Sequence, residues 1–173
     1  VTTRTAGFNT TDLAAMDESG TAIMIILMLI GGSPGSTAGG MKTATFAVLF
    51  LSAITVFSRR NDVQCFKRRI SDETVRSAGA VLFMYLVLFF TSGVIISRVE
   101  DLPLLTCLFE TSSAIGTVGL SLGITSSLSA VSRVILMILM FFGRVGGLTL
   151  IYAALPSADS QNSRLPLEKI SVG

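Results

Sequence analysis

The chain alternates apolar runs with short polar joints, and two of the runs set the frame. Residues 78–97, AGAVLFMYLVLFFTSGVIIS, are twenty positions without a charge, about the length that spans a bilayer's hydrocarbon. Residues 134–155, VILMILMFFGRVGGLTLIYAAL, form a second run interrupted only by Arg144. Shorter apolar segments at 21–30 and 44–57 flank a Gly/Ser break at 31–40. At about 1.5 Å per residue neither crosses ~30 Å alone, but joined across the break they do. The pattern thus predicts an interrupted crossing over 19–58, a second over 78–97 and a third from about 130 to 155. Between the last two, LPLLTCLFETSSA (102–114) predicts a helix too short to cross, and the Gly/Thr/Ser loop IGTVGLSLGITSS (115–127) follows it. If the second crossing ends on the face where the third starts, 102–127 must enter and leave by that face. That is a re-entrant pore loop.

Composition agrees with a membrane setting. Half of the 173 residues are hydrophobic, only 14% are charged, and the mean hydropathy is +0.73, whereas a soluble domain carries about 25% charge. Val1–Asp12 is polar and offers no apolar core for a signal peptide. A net charge of +2 gives no reason to expect a nucleic-acid partner; the placement of the charge is more telling. Arg59, Arg60, Lys67, Arg68, Arg69 and Arg76, six of thirteen basic residues, crowd one connection, while RVEDLP (98–103) has one arginine and two acids. The positive-inside rule puts 59–77 in the cytoplasm and 98–103 outside. Cys65 and Cys107 then fall on opposite sides of a crossing, so no disulfide is expected. The chain has no histidine, which excludes imidazole catalysis and most zinc sites. An intramembrane enzyme would need an acid/base pair or metal ligands at depth, and none is visible. No enzymatic activity is expected.

An internal repeat carries the candidate chemistry. Thr5-Ala6-Gly7-Phe8-Asn9 aligns with Thr117-Val118-Gly119-Leu120-Ser121 as T-x-G-[FL]-[NS]. Each copy precedes an apolar, glycine-interrupted span. The second resembles the TVGYG filter of potassium channels, in which main-chain carbonyls replace an ion's hydration shell. The central glycine permits dihedrals that a Cβ resists. One T-x-G triplet is weak evidence, because Gly and Thr are common in loops; two copies at equivalent places are stronger. The first unit lacks an outer helix and a pore helix, so the chain reads as a piece of a larger protein.

The break GGSPGSTAGGMKT (31–43) raises a physical question. Non-helical backbone at membrane depth survives only where it lines water or is buried in protein. A loop beneath a filter meets that condition. Five glycines within 31–40 leave few bulky anchors, so the segment can shift at modest cost. A glycine-rich helix-packing seam is the bland alternative, but Pro34 disfavours continuous helix. The nucleotide P-loop pattern fails, because Met41 separates Gly40 from Lys42 and no strand precedes the loop. Lys42 is expected near the cytoplasmic side of the break. Arg144 is costly at mid-span unless it faces water or a partner. It could face the pore, repelling cations and donating to loop carbonyls, or pair with an acid elsewhere. Glu110 reads as an acceptor for filter amides rather than an ion ligand.

Taken together, RTAGFNT (4–10), GGSPGSTAGGMKT (31–43), ETSSAIGTVGLSLG (110–123), FGRVGGLTL (142–150) and EKISVG (168–173) resemble the Trk/Ktr/HKT family of potassium transporters, and within it the bacterial Ktr membrane subunit. The resemblance implies an all-α membrane protein of two-helix-plus-pore-loop repeats, with two of four repeats partly or fully present. In that frame 1–58 is the end of the third repeat, 59–77 a cytoplasmic connection, 78–155 the fourth repeat and 156–173 a cytoplasmic tail. The implied activity is K+ uptake across the bacterial cell membrane, with Na+ as a further candidate ion. Thr5, Ala6, Gly7, Phe8 and Asn9 with Thr117, Val118, Gly119, Leu120 and Ser121 would be the filter. Gly31, Gly32, Ser33, Pro34, Gly35, Ser36, Thr37, Ala38, Gly39, Gly40, Lys42 and Arg144 would form the gate. Each filter keeps one glycine where channels have two, which implies a looser site. Gly147 stands where relatives often have proline, leaving the helix bend beyond Arg144 open. The implied partners are membrane lipid, a second copy of the subunit and a cytoplasmic ring of nucleotide-binding regulatory subunits; 59–69 is a topology signal and a candidate docking surface. The competing function is a secondary transporter that binds substrate at broken helices.

Overall fold

The computed structural model describes residues 3, 6–9, 13, 16–36, 38–58, 62–65 and 68–146. In chain order they form α1 (Glu18–Ile30), α2 (Thr43–Phe57), a hairpin of β1 (Gln64–Cys65) and β2 (Arg68–Arg69), α3 (Asp72–Glu100), α4 (Leu104–Ile115) and α5 (Ala130–Val145). The expected roles of Thr5, Thr37, Arg59, Arg60, Lys67 and the whole stretch from Gly147 onward, including the tail, lie outside the described residues.

The helix lengths follow from their sequences. α3 is 29 residues, about 43 Å long at 1.5 Å per residue. It starts six residues before the apolar run because Ser71 caps it, its hydroxyl accepting from the Thr74 amide, and Asp72 and Glu73 sit in the first turn. Among the described residues, α3 is the helix long and apolar enough to cross a membrane. α1 and α2, 13 and 15 residues, are each roughly 20 Å long, too short individually. They are separated at 31–42, where Pro34 and the glycines remove the helical option.

The short helix α4 is the hub. It packs against α1, α3 and α5, and every residue from Phe109 to Ile115 is buried, as is Cys107. Such enclosure would be costly for its hydroxyls without partners. Thr111 Oγ1 donates to the Leu108 carbonyl at 3.1 Å and Ser112 Oγ to the Phe109 carbonyl at 2.8 Å. Two apolar clusters surround it. One joins Tyr85 and Ile96 of α3 to Ile115 of α4 and Leu136 and Leu139 of α5. The other joins Ile25 and Met28 of α1 to Phe89, Phe109 and Val118.

The outward faces are apolar too. Phe83, Phe90 and Val94 on α3 and Val134, Met137 and Phe141 on α5 are exposed, whereas a helix at a water boundary turns polar residues outward. α5 buries only a narrow stripe, Ser132, Leu136, Leu139 and Gly143, at the spacing of one helix face. Glu100, at the end of α3, ties down the start of this helix. Its Oε1 accepts the Ser129 amide at 2.9 Å and the hydroxyls of Ser129 and Ser132.

Candidate functional site

The loop after α4 is bound back onto the helix that precedes it. The amides of Gly116, Thr117 and Val118 donate to the carbonyls of Ser112, Ala114 and Ser113 at 2.9, 3.0 and 2.9 Å. These bonds satisfy carbonyls that a helix end leaves open and commit the amides of 116–118 to α4. Thr117 and Gly119 have φ of +52° and +87°, while Val118 between them keeps the ordinary sign. An extended strand sends successive carbonyls to opposite sides; alternating φ sign turns peptide planes away from that arrangement. A Cβ on Gly119 would meet nothing within 4 Å, so the glycine is required by its dihedral and not by crowding.

Downstream, Glu110 holds the strand. It is 4% exposed. Its Oε1 accepts from Ser121 Oγ at 2.6 Å and from the Leu122 amide at 2.9 Å, and its Oε2 accepts from Thr125 Oγ1 at 3.1 Å. With three donors converging on it, Glu110 is an anchor for this backbone, as its place in the sequence suggests. Glu110→Gln puts an amide donor where a donor already points. It is expected to cost about 1–3 kcal/mol of stability, read as a lower Tm in detergent with an unchanged ion preference; an unchanged Tm would contradict the anchor.

The two T-x-G segments are adjacent. A Cβ on Gly7, whose φ is +66°, would lie 2.6 Å from the Val118 carbonyl oxygen, so the backbone of the first segment at its glycine touches that of the second one residue before its glycine. Ala6 and Gly7 are half-buried, and Phe8 and Asn9 are exposed.

The loop 31–42 lies against this pair. Its tip is a β-turn, in which the Ser36 amide donates to the Ser33 carbonyl at 3.2 Å, Pro34 takes the first central position and Gly35 the second with φ +79°. Ser33, Pro34, Gly35 and Ser36 are exposed, whereas Ala38, Gly39, Gly40 and Met41 are buried. Lys42 shapes the loop from within: its ammonium donates to the Ser36 carbonyl at 3.1 Å and to the Ala38 carbonyl. The sequence suggested that kind of donation for Arg144 and missed it for Lys42. Six- and four-residue separations within an irregular loop have no periodic signature. Arg144 is exposed on the last turn of α5, one residue after Gly143.

The base of the loop meets the segment after α4 at a junction of glycines. The Gly39 amide donates to Thr117 Oγ1 at 3.1 Å, and the Gly40 amide to the Gly143 carbonyl at 3.3 Å. A Cβ would fall 2.2 Å from Thr117 Oγ1 at Gly39, 3.3 Å from the Gly31 Cα at Gly40, 2.9 Å from the Met28 carbonyl at Gly116, and 2.0 Å from the Ile115 carbonyl at Gly143. Main chain from α1, the loop, the segment after α4 and α5 therefore packs closely together, mostly backbone on backbone. Gly116 and Gly143 were not singled out by the sequence, since a glycine beside apolar residues reads equally well as a helix-packing position.

With this geometry in view, comparison with known proteins is decisive. The sequence matches the TrkH family, described as cation transport protein, over residues 1–163. The chain belongs to the TrkH family. Among relatives, it is 40% identical to the Ktr system potassium uptake protein D of Bacillus subtilis, over 99% of this chain and 38% of that protein. It is 39% identical to the Ktr system potassium uptake protein B of Vibrio alginolyticus, over 86% of this chain and 33% of that one. It is also 35% identical to the potassium/sodium uptake protein NtpJ of Enterococcus hirae, over 100% and 40% respectively. The chain thus spans about two fifths of the length of these relatives or less. TrkH membership makes this a membrane protein of a cation-transporting family, and an enzyme is not what that family describes.

Proposed function

We propose that this chain serves potassium uptake across the bacterial cell membrane, with Thr5–Asn9 and Thr117–Ser121 as filter segments and 31–42 as the gate beneath them. The observation that carries the reading is the stack at the junction: Gly7 abuts Val118, and Gly39 bonds to the side chain of Thr117 just before it. Carbonyls in such a strand can replace a cation's water, and a buried loop at its inner end can obstruct the path. The amides of 116–118 are already engaged with α4, so over that stretch the N–H groups are turned to the helix and the carbonyls are the candidates to face an ion. Potassium is the ion in the names of these relatives, and sodium stands beside it in one; both are candidates here. The subunit would work as a homodimer in lipid, regulated by a nucleotide-binding ring on its cytoplasmic face, with the hairpin at 64–69 as docking surface. The pairing of Gln64 with Arg69 and the ion pair of Arg69 with Asp62 at 3.0 Å give that connection a defined shape.

The test is ion preference. Gly119→Ser forces a side chain into the left-handed region at a cost of about 1–2 kcal/mol. The K+/Na+ preference of cells that depend on this protein for K+ should fall about fivefold or more. An unaltered preference would remove Gly119 from the filter.

A further inference from the structure

Thr117 is held in a conformation that its side chain opposes. A β-branched residue at φ +52° is an outlier that persists only where its surroundings over-determine it. Two kinds of contact do so here. Its amide is fixed to α4 through the Ala114 carbonyl at 3.0 Å. Its hydroxyl oxygen accepts the Gly39 amide at 3.1 Å, a bond spanning 78 positions from the loop to the filter segment. Gly39 can approach so closely because it has no Cβ, which would lie 2.7 Å from Thr117 Cγ2. Within the T-V-G triplet, Thr117 is the residue that carries a side-chain oxygen.

We propose that Thr117 is a latch: its Oγ1 holds the loop base closed against the filter, and loop withdrawal releases both that oxygen and the residue's strain. This rests on the filter-and-gate reading and adds to it a route by which the position of the loop reaches the ion path. While the loop is seated, the Thr117 oxygen is committed to Gly39. When the loop leaves, the oxygen turns free beside the innermost filter carbonyls. Thr117 is a positioning residue of the gate, distinct from the glycines that shape the filter.

The experiment is K+ flux through the full-length protein in proteoliposomes, with protein content measured alongside. Thr117→Val keeps nearly the same volume but removes the acceptor, leaving the Gly39 N–H buried without a partner. Resting flux should rise about five- to tenfold. Thr117→Ser retains the hydroxyl and should raise resting flux far less than Thr117→Val. Adding Thr117→Val to a protein lacking residues 33–36 should give no further rise, since both changes open the same loop. If the valine variant does not reach the membrane, Thr117→Ala removes the same oxygen with less bulk and gives the same readout. Unchanged flux in the Val and Ala variants, or an equal rise in the Ser variant, overturns the latch. Failure of the latch alone leaves the effects of Gly119→Ser and of the loop deletion in place; if those also vanish, the filter-and-gate reading itself has failed.

Discussion

Gly143→Ala is expected to abolish uptake and to lower the stability of the protein by on the order of 3 kcal/mol, at or beyond the upper end for overpacking. A single methyl group produces so large an effect because of what it meets. The added Cβ would lie 2.0 Å from the Ile115 carbonyl oxygen, 2.8 Å from its carbon and 3.2 Å from its Cα. These are backbone atoms at the end of α4 and cannot rotate out of the way. The two helices must separate by more than an ångström, in a region where interiors are close-packed. Separation also moves the Gly143 carbonyl away from the Gly40 amide that it accepts, so the loop base loses a bond at the same time. The control is Gly79→Ala on α3, where a Cβ meets nothing within 4 Å. There alanine should be neutral or gain up to about 1 kcal/mol of helix propensity. Thermal unfolding in detergent and K+ uptake by the two variants make the comparison; equal behaviour of Gly79→Ala and Gly143→Ala would refute tight packing at the junction.

Deleting Ser33–Ser36 is expected to raise resting K+ flux by about thirtyfold or more. Those residues are exposed, so their removal costs little packing, but it takes away both partners supplied by Ser36. The Ser36 carbonyl accepts from Lys42, and its hydroxyl accepts the Ala38 amide at 2.9 Å. At about 1 kcal/mol for a neutral bond and 1.5–3 for a charged one, the loss favours the unseated loop by roughly 2.5–4 kcal/mol, and every 1.4 kcal/mol is tenfold. Flux assays on proteoliposomes with matched protein content read the change. Parent-level flux in the deletion would contradict a gate at 31–42.

Several features could be read from the chain because they depend on neighbours in sequence. Pro34 among glycines marked the break, the length of 102–114 marked a helix that cannot cross, and the T-x-G pattern marked two stretches that meet at Gly7 and Val118. Glu110 stood out as an acid at the end of an apolar helix and proved to hold three donors. Features that depend on tertiary approach were not legible. Nothing in GTVG or FFGRV says that Gly116 lies against α1 or that Gly143 lies against Ile115, because a missing Cβ leaves no pattern until its neighbour is known. The role of Lys42 was hidden for a similar reason: its ammonium closes on carbonyls of its own loop, whereas Arg144, on a periodic apolar helix, attracted the expectation. The hairpin at 64–69 lies in a charged connection without the alternation that marks a strand.

Seating the loop base requires groups made much later in synthesis. The acceptor for Gly39 lies 78 residues downstream, and that for Gly40 lies on the last turn of α5. A nascent chain that has inserted α1, α2 and α3 thus lacks both groups that hold the base of the loop at 31–42. The loop base therefore acquires both of its downstream acceptors in one closing step, after α5 emerges.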